Sequence, residues 1–195
     1  MLKPNWTRDY VFCEPIRYAN LSTSTPATSL SAFVSEQLHA DFNWQDAAWV
    51  LEEWGGDAIL KSVMDPQDAI RAKEMGFHAI SISNHGGRQL DGEVALLDML
   101  TSIRVATGPQ FPLILDGGIR RGTDILKAIG LGANAVSFAR PYLYSLAAEG
   151  VVGVRRSLEI LASELKLSMA LLGITNVSEI TSEMVRPFKG GYRVS

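Results

Sequence analysis

Pro112-Leu113-Ile114-Leu115-Asp116-Gly117-Gly118-Ile119-Arg120-Arg121-Gly122 opens on an apolar run of strand length, turns at a glycine pair and enters a helical pattern. The same rhythm repeats from Gly55 onward. Apolar runs at Ala58–Val63, His78–Ser83, Pro112–Leu115 and Ala135–Phe138 alternate with helical periodicity at Pro66–Met75, Val94–Ala106 and Gly122–Ile129. Asp65 before Pro66 predicts a capped helix start, and Gly76, Gly108 and Gly130 sit where helices must stop. After Arg140 the pattern predicts a short helix to about Ala148 and a longer one from Val152 to about Leu172. Apolar strands bounded by helical crossovers form a parallel sheet covered by helices. The class is therefore α/β, with about four parallel βα units. A closed (β/α)8 barrel needs eight such units in typically ~250 residues. Four make half of a TIM barrel or a small doubly wound sheet. The units share no sequence with one another, which argues against a solenoid.

Residues 1–54 read differently. Asn5–Phe12 predicts a short amphipathic helix capped by Asn5, and Glu14–Leu30 a loop rich in Ser, Thr and Pro. A helix over Leu30–His39 follows, then one capped by Asn43, with acid in its first turn, that runs to about Trp54. The expected organisation is one domain over residues 1–195. Loop and helices fill 1–54, the four βα units fill 55–173, and a tail covers 174–195.

Composition narrows the function classes. Eighteen Lys and Arg against 21 Asp and Glu leave a formal charge of −3, too mild for a nucleic-acid partner or a basic membrane patch. A single cysteine, Cys13, rules out an internal disulfide framework and a thiolate metal cage. The N-terminal residues lack the apolar core of a secretory signal, and no run approaches the ~18 apolar residues of a membrane span. The expected location is the cytoplasm, or the periphery of a membrane.

Polar groups gather at each C-terminal strand edge, where parallel α/β folds place their sites. The first strand ends on Lys61. The second ends on Ser83-Asn84-His85-Gly86-Gly87-Arg88, the third on Asp116-Gly117-Gly118-Ile119-Arg120, and the fourth on Ala139-Arg140. His85 lies just past a strand end among glycines, placed to take a proton, with Arg88 three residues on to grip a carboxylate. His39 and His78 read as structural. Gly117-Gly118 before a helix start near Arg121-Gly122, with Ala139-Arg140 opening the next, makes a candidate phosphate cradle. The competing reading is that these glycines only permit tight turns. Lys61 is normally solvated at such a place, but facing a cofactor it neutralises developing charge.

The stretches Ser83–Asp91 and Asp116–Asp124, SNHGGRQLD and DGGIRRGTD, resemble the FMN-dependent 2-hydroxy acid dehydrogenase/oxidase family. The resemblance continues through Phe42–Ala48, Ile59–Ala69 and Leu131–Gly150 to the helix ending at Gly173, and lies nearest the lactate and mandelate dehydrogenase branch. It implies FMN as cofactor and the C-terminal half of a TIM barrel. It places Lys61 near the flavin N1 and Ser83 on the flavin side, with His85 as base and Arg88 on the substrate carboxylate. Asp116, Gly117, Gly118, Ile119 and Arg120 would line the ribityl chain and phosphate, completed by Ala139 and Arg140. The implied reaction oxidises a small L-2-hydroxy acid to the 2-oxo acid, by hydride or carbanion chemistry, with oxygen, a quinone or a cytochrome as electron acceptor and a homo-oligomer as the complete form.

Two departures stand out. Ala139 replaces a glycine usual in the phosphate turn, which crowds the backbone approach but keeps the amide donor. The family's N-terminal strands are absent, and with them a substrate-contacting aromatic hydroxyl and the carboxylate that orients the histidine. The alternative expectation is therefore an inactive half-barrel serving as an FMN- or phosphate-binding or interaction module. Another phosphate-binding barrel, such as an isomerase, fits Ser83–Asp91 poorly.

Overall fold

The computed structural model describes residues 4–13 and 41–186. The chain divides into two compact units, Met1–Trp54 and Gly55–Ser195. The first unit contains α1 (Pro4–Phe12) and α2 (Trp44–Trp54). Helix α1 starts at Pro4, so Asn5 lies in its first turn and not at its cap. Trp6 and Tyr10, one turn apart, stack with ring centroids 5.1 Å apart. Helix α2 begins as its sequence predicts. The Asn43 side chain accepts from the Gln45 amide at 2.8 Å, and Asp46 accepts from the Asn43 amide at 2.7 Å. The loop expected at Glu14–Leu30 and the helix expected at Leu30–His39 fall outside the described residues.

The second unit runs β1 (Ile59–Lys61), α3 (Pro66–Glu74), β2 (Ala79–Ile82), α4 (Leu96–Thr107), β3 (Leu113–Asp116), α5 (Gly122–Gly130), β4 (Ala135–Ser137) and α6 (Arg140–Leu171). The four strands pair in parallel in the order β1-β2-β3-β4. The βα rhythm of the sequence is thus the architecture, with strands shorter than the apolar runs that announced them.

Side chains alternate across a strand, so the register sorts the sheet into two faces. Leu60, Ile80, Ile82, Leu113, Leu115 and Val136 share one face. Ile80, Ile82, Leu113 and Leu115 on it are 0–1% exposed, each stabilising the fold by about 1.5–3 kcal/mol through burial. Lys61, Ser81, Ile114, Asp116, Ala135 and Ser137 share the other face. That face carries the polar groups, and they lie at the C-terminal ends of the strands.

Helix ends follow local chemistry. Asp65 accepts from the amides of Gln67 and Asp68, at 2.7 and 3.3 Å, ahead of Pro66. Helix α5 stops at Gly130 as expected, and Gly132, two residues on, takes the left-handed position with φ of 110°. Helix α6 is broken at Glu149 and Gly150, dividing it as the two predicted helices require.

The opposite, N-terminal edge of the sheet is tied by Arg104 in the last turn of α4. Its guanidinium donates to the carbonyls of Gly108 (2.6 Å), Phe111 (2.7 Å) and Gly132 (2.9 and 2.7 Å) and to the Asn134 side chain (2.7 Å). Those acceptors belong to the segments that enter β3 and β4. Asn134 continues the tie by accepting from the Leu113 amide at 2.9 Å. Burial lowers the Arg104 pKa from its ordinary value.

Candidate active site

A cleft of about 590 Å³ opens at the C-terminal strand edge. Its lining includes Lys61, Ser83, His85, Arg88, Asp116, Gly117, Gly118, Ile119, Arg120, Ala139 and Arg140, so every site residue expected from the sequence meets there. Four of these are cations, Lys61, Arg88, Arg120 and Arg140, against the single carboxylate of Asp116. On a chain of net charge −3 this is a local reversal of sign, suited to an anionic ligand. His78, read as structural, lies elsewhere and pairs with Asp57 at 3.0 Å.

Lys61, at the end of β1, reaches across the sheet. Its ammonium donates to Ser83 Oγ at 3.1 Å and to the Asp116 carboxylate. Partial burial would raise the Asp116 pKa, but hydrogen bonds from Lys61, Ser137 and Ser83, with the Lys61 charge, hold it below the ordinary 3.8. A carboxyl with a depressed folded-state pKa stabilises fully above its unfolded value and loses that contribution as pH falls through the folded one. Wild type should therefore exceed Asp116→Asn in stability above pH 3.8, and the gap should close in more acid solution. Urea unfolding at stepped pH measures this; a gap independent of pH would remove the ionic role.

The loop after β2 is built for a tight approach. Asn84 caps it, its side chain accepting from the Gly86 amide at 3.1 Å and its carbonyl from the Gly87 amide at 2.9 Å. Arg140 donates to the Gly86 carbonyl at 2.9 Å, and a Cβ on Gly86 would sit 2.5 Å from that guanidinium. Gly86 also has φ of 70°, a backbone that disfavours any side chain there. The Arg88 Nε donates to the His85 carbonyl at 3.0 Å, which leaves its terminal nitrogens to grip a carboxylate end-on. His85 has φ of 54°, and its Nδ1 lies 3.2 Å from Ser62 Oγ.

The phosphate cradle needs a correction. The helix start at Arg121-Gly122 is already occupied by the chain's own carboxylates. Asp124 accepts from the amides of Arg120 and Arg121, at 3.0 and 2.9 Å, and Glu164 accepts from the Gly122 amide and the Arg121 guanidinium, both at 2.8 Å. Glu164 gets there because α6 crosses so close that a Cβ on Gly122 would lie 2.2 Å from the Leu165 nitrogen. The start of α6 differs: no side chain caps it, and a proline occupies its first turn. Of the two helix starts, the one at Ala139-Arg140 is the one left without a side-chain cap, which suits an anion.

Sequence reasoning assigned no role to Phe138, Pro141, Leu143 and Tyr144, which line the cleft. The helical spacing from Arg140 to Tyr144 was the available signal. Ser62 carried none, because nothing in the sequence marks a serine for a left-handed backbone.

Comparison with known proteins fits this geometry. Residues 1–187 match the family model for FMN-dependent dehydrogenase. The chain belongs to that family. The family is FMN-dependent. The chain is 36% identical over 190 residues to an L-lactate dehydrogenase of Caulobacter vibrioides, covering 94% of this chain and 49% of that one. It is 46% identical over 140 residues to a pre-mycofactocin synthase of Mycolicibacterium smegmatis, covering 72% and 35%. The crystal structure of a monotopic membrane protein, (S)-mandelate dehydrogenase, superposes with a TM-score of 0.86 at 34% identity, covering 94% of this chain and 49% of that one. The chain thus spans about half the length of the first and third of these relatives, which accords with four strands of an eight-stranded barrel.

The residues present suit FMN. The cleft volume falls within the ~300–1,000 Å³ of ligand pockets. Nothing lies within 4 Å of the Cβ position on Gly118, which leaves room for close backbone approach. The uncapped start of α6 and the surrounding cations suit the phosphate. No helix among the described residues is long and apolar enough to cross a membrane.

Proposed function

We propose that this chain supplies the FMN- and substrate-carboxylate-binding half of an enzyme that oxidises small L-2-hydroxy acids to 2-oxo acids. The observation that carries the reading is the convergence of His85, Arg88, Lys61 and the uncapped Ala139-Arg140 helix start on one cleft. FMN, when bound, supplies the two-electron sink for the oxidation.

The chain's own residues do the rest. Arg88 holds the substrate carboxylate with its terminal guanidinium nitrogens, a fork that lysine does not have. His85 engages Ser62 through Nδ1, which leaves Nε2 to take the proton the substrate loses. Lys61 holds a positive charge beside the ring system and neutralises charge that develops there. Ala139-Arg140 binds the phosphate, and Ser83 and Asp116 fix Lys61 in place. A homo-oligomer and association with a membrane periphery belong to the same proposal.

Fluorescence titration with FMN tests the binding part, with riboflavin as the control that lacks phosphate. FMN should bind at least tenfold more tightly, the equivalent of about 1.4 kcal/mol. Equal affinities would remove the phosphate from Ala139-Arg140. In flavin-loaded protein, Arg88→Lys should raise the KM for L-lactate and L-mandelate roughly tenfold or more, since the charge remains but the fork is lost. An unchanged KM would take Arg88 out of the substrate site.

A further inference from the structure

Among the described residues, two that are not glycine have positive φ, Ser62 at 69° and His85 at 54°. They are 23 positions apart in sequence and touch each other, Ser62 Oγ to His85 Nδ1 at 3.2 Å. Left-handed backbone is costly for a residue with a side chain, less so for histidine than for serine, and persists where the surroundings impose it. Here both backbones are pinned. The Ser81 carbonyl accepts from the amides of Ser62 and Val63, at 2.9 and 3.3 Å. The His85 amide donates to Ser83 Oγ at 3.3 Å, and the His85 carbonyl accepts from Arg88. The two turns aim a hydroxyl and an imidazole nitrogen at each other. His85 lines the cleft, and Ser62 is not among the lining residues.

A neutral imidazole carries its proton on one nitrogen, and the partner of that nitrogen decides which. If the hydroxyl donates to Nδ1, the proton sits on Nε2 and that nitrogen is no base. If the hydroxyl accepts from Nδ1–H, Nε2 presents its lone pair. The accepting arrangement also persists unchanged once Nε2 has gained a proton, so no partner must turn during the transfer.

We propose that Ser62 is a positioning residue for His85. Its hydroxyl accepts from Nδ1–H, fixes the tautomer and holds Nε2 unprotonated. The inference deepens the reading of His85 as base, but its test needs no flavin. The chain has three histidines, so long-range proton–nitrogen correlation spectra of the nitrogen-15-labelled full chain resolve each imidazole, with His85→Gln assigning the signal. In alkaline solution His85 should show a protonated Nδ1 and an unprotonated Nε2. Ser62→Gly, which adopts the left-handed backbone without strain, and Ser62→Ala should both shift that signal toward the Nε2–H form that free imidazole favours in water. A wild-type His85 in the Nε2–H form, or a tautomer unmoved in both variants, overturns the assignment. Failure of FMN to bind would sink the proposed function and leave this result standing.

Discussion

His85→Ala should slow reduction of bound FMN by an L-2-hydroxy acid about 10²- to 10⁴-fold, the range that a positioned general base supplies. The expectation rests on where the imidazole sits. His85 lines the cleft beside Arg88, and its Nδ1 is engaged by Ser62, so alanine removes the nitrogen left to take the proton. FMN affinity should change little, because the proposed phosphate site at Ala139-Arg140 and the proposed ring-side charge of Lys61 are left in place. Rapid anaerobic mixing of flavin-loaded protein with substrate reads the rate, and flavin fluorescence reads the affinity. A rate within a few-fold of wild type would remove His85 as the base.

Arg104→Ala should destabilise the full chain by about 3–4 kcal/mol, read as a lower urea midpoint. The guanidinium serves the carbonyls of Gly108, Phe111 and Gly132 and the Asn134 side chain. Alanine leaves these acceptors, at the entrances to β3 and β4, without their charged donor. Arg104→Lys should lose a large share of the same stability, because one ammonium cannot span acceptors on two segments. An Arg104→Ala midpoint equal to wild type would mean that the tie is decorative. The residue is remote from the cleft, so any effect on FMN would follow from stability alone.

What the sequence disclosed and what it hid follow from locality. The four βα units were legible because alternation of apolar runs with helical periodicity is written within each segment. The caps at Asn43 and Asp65 were legible because their partners lie two or three residues away. The site was legible because parallel sheets gather strand ends at one edge, so polar residues after each apolar run had to meet.

Long-range partners were not legible. Arg104 reads as an ordinary basic residue in a last helical turn, yet its acceptors stretch as far as Asn134. Glu164 lies 42 positions from Gly122, and no local pattern announces that it occupies the helix start where the glycine-rich turn suggested a phosphate. Ser62 is the clearest case. Its left-handed backbone is held by the Ser81 carbonyl of the neighbouring strand and its hydroxyl meets His85 in the following loop, partners that one-dimensional reading cannot supply.

The most direct test of the central claim is anaerobic addition of L-lactate, and separately L-mandelate, to the FMN-loaded chain while the visible flavin band is followed. The account predicts that at least one of the two bleaches the band and that the matching D-acid does not. FMN that stays bound and oxidised with both acids would contradict it, leaving a protein that holds flavin without turning over a 2-hydroxy acid.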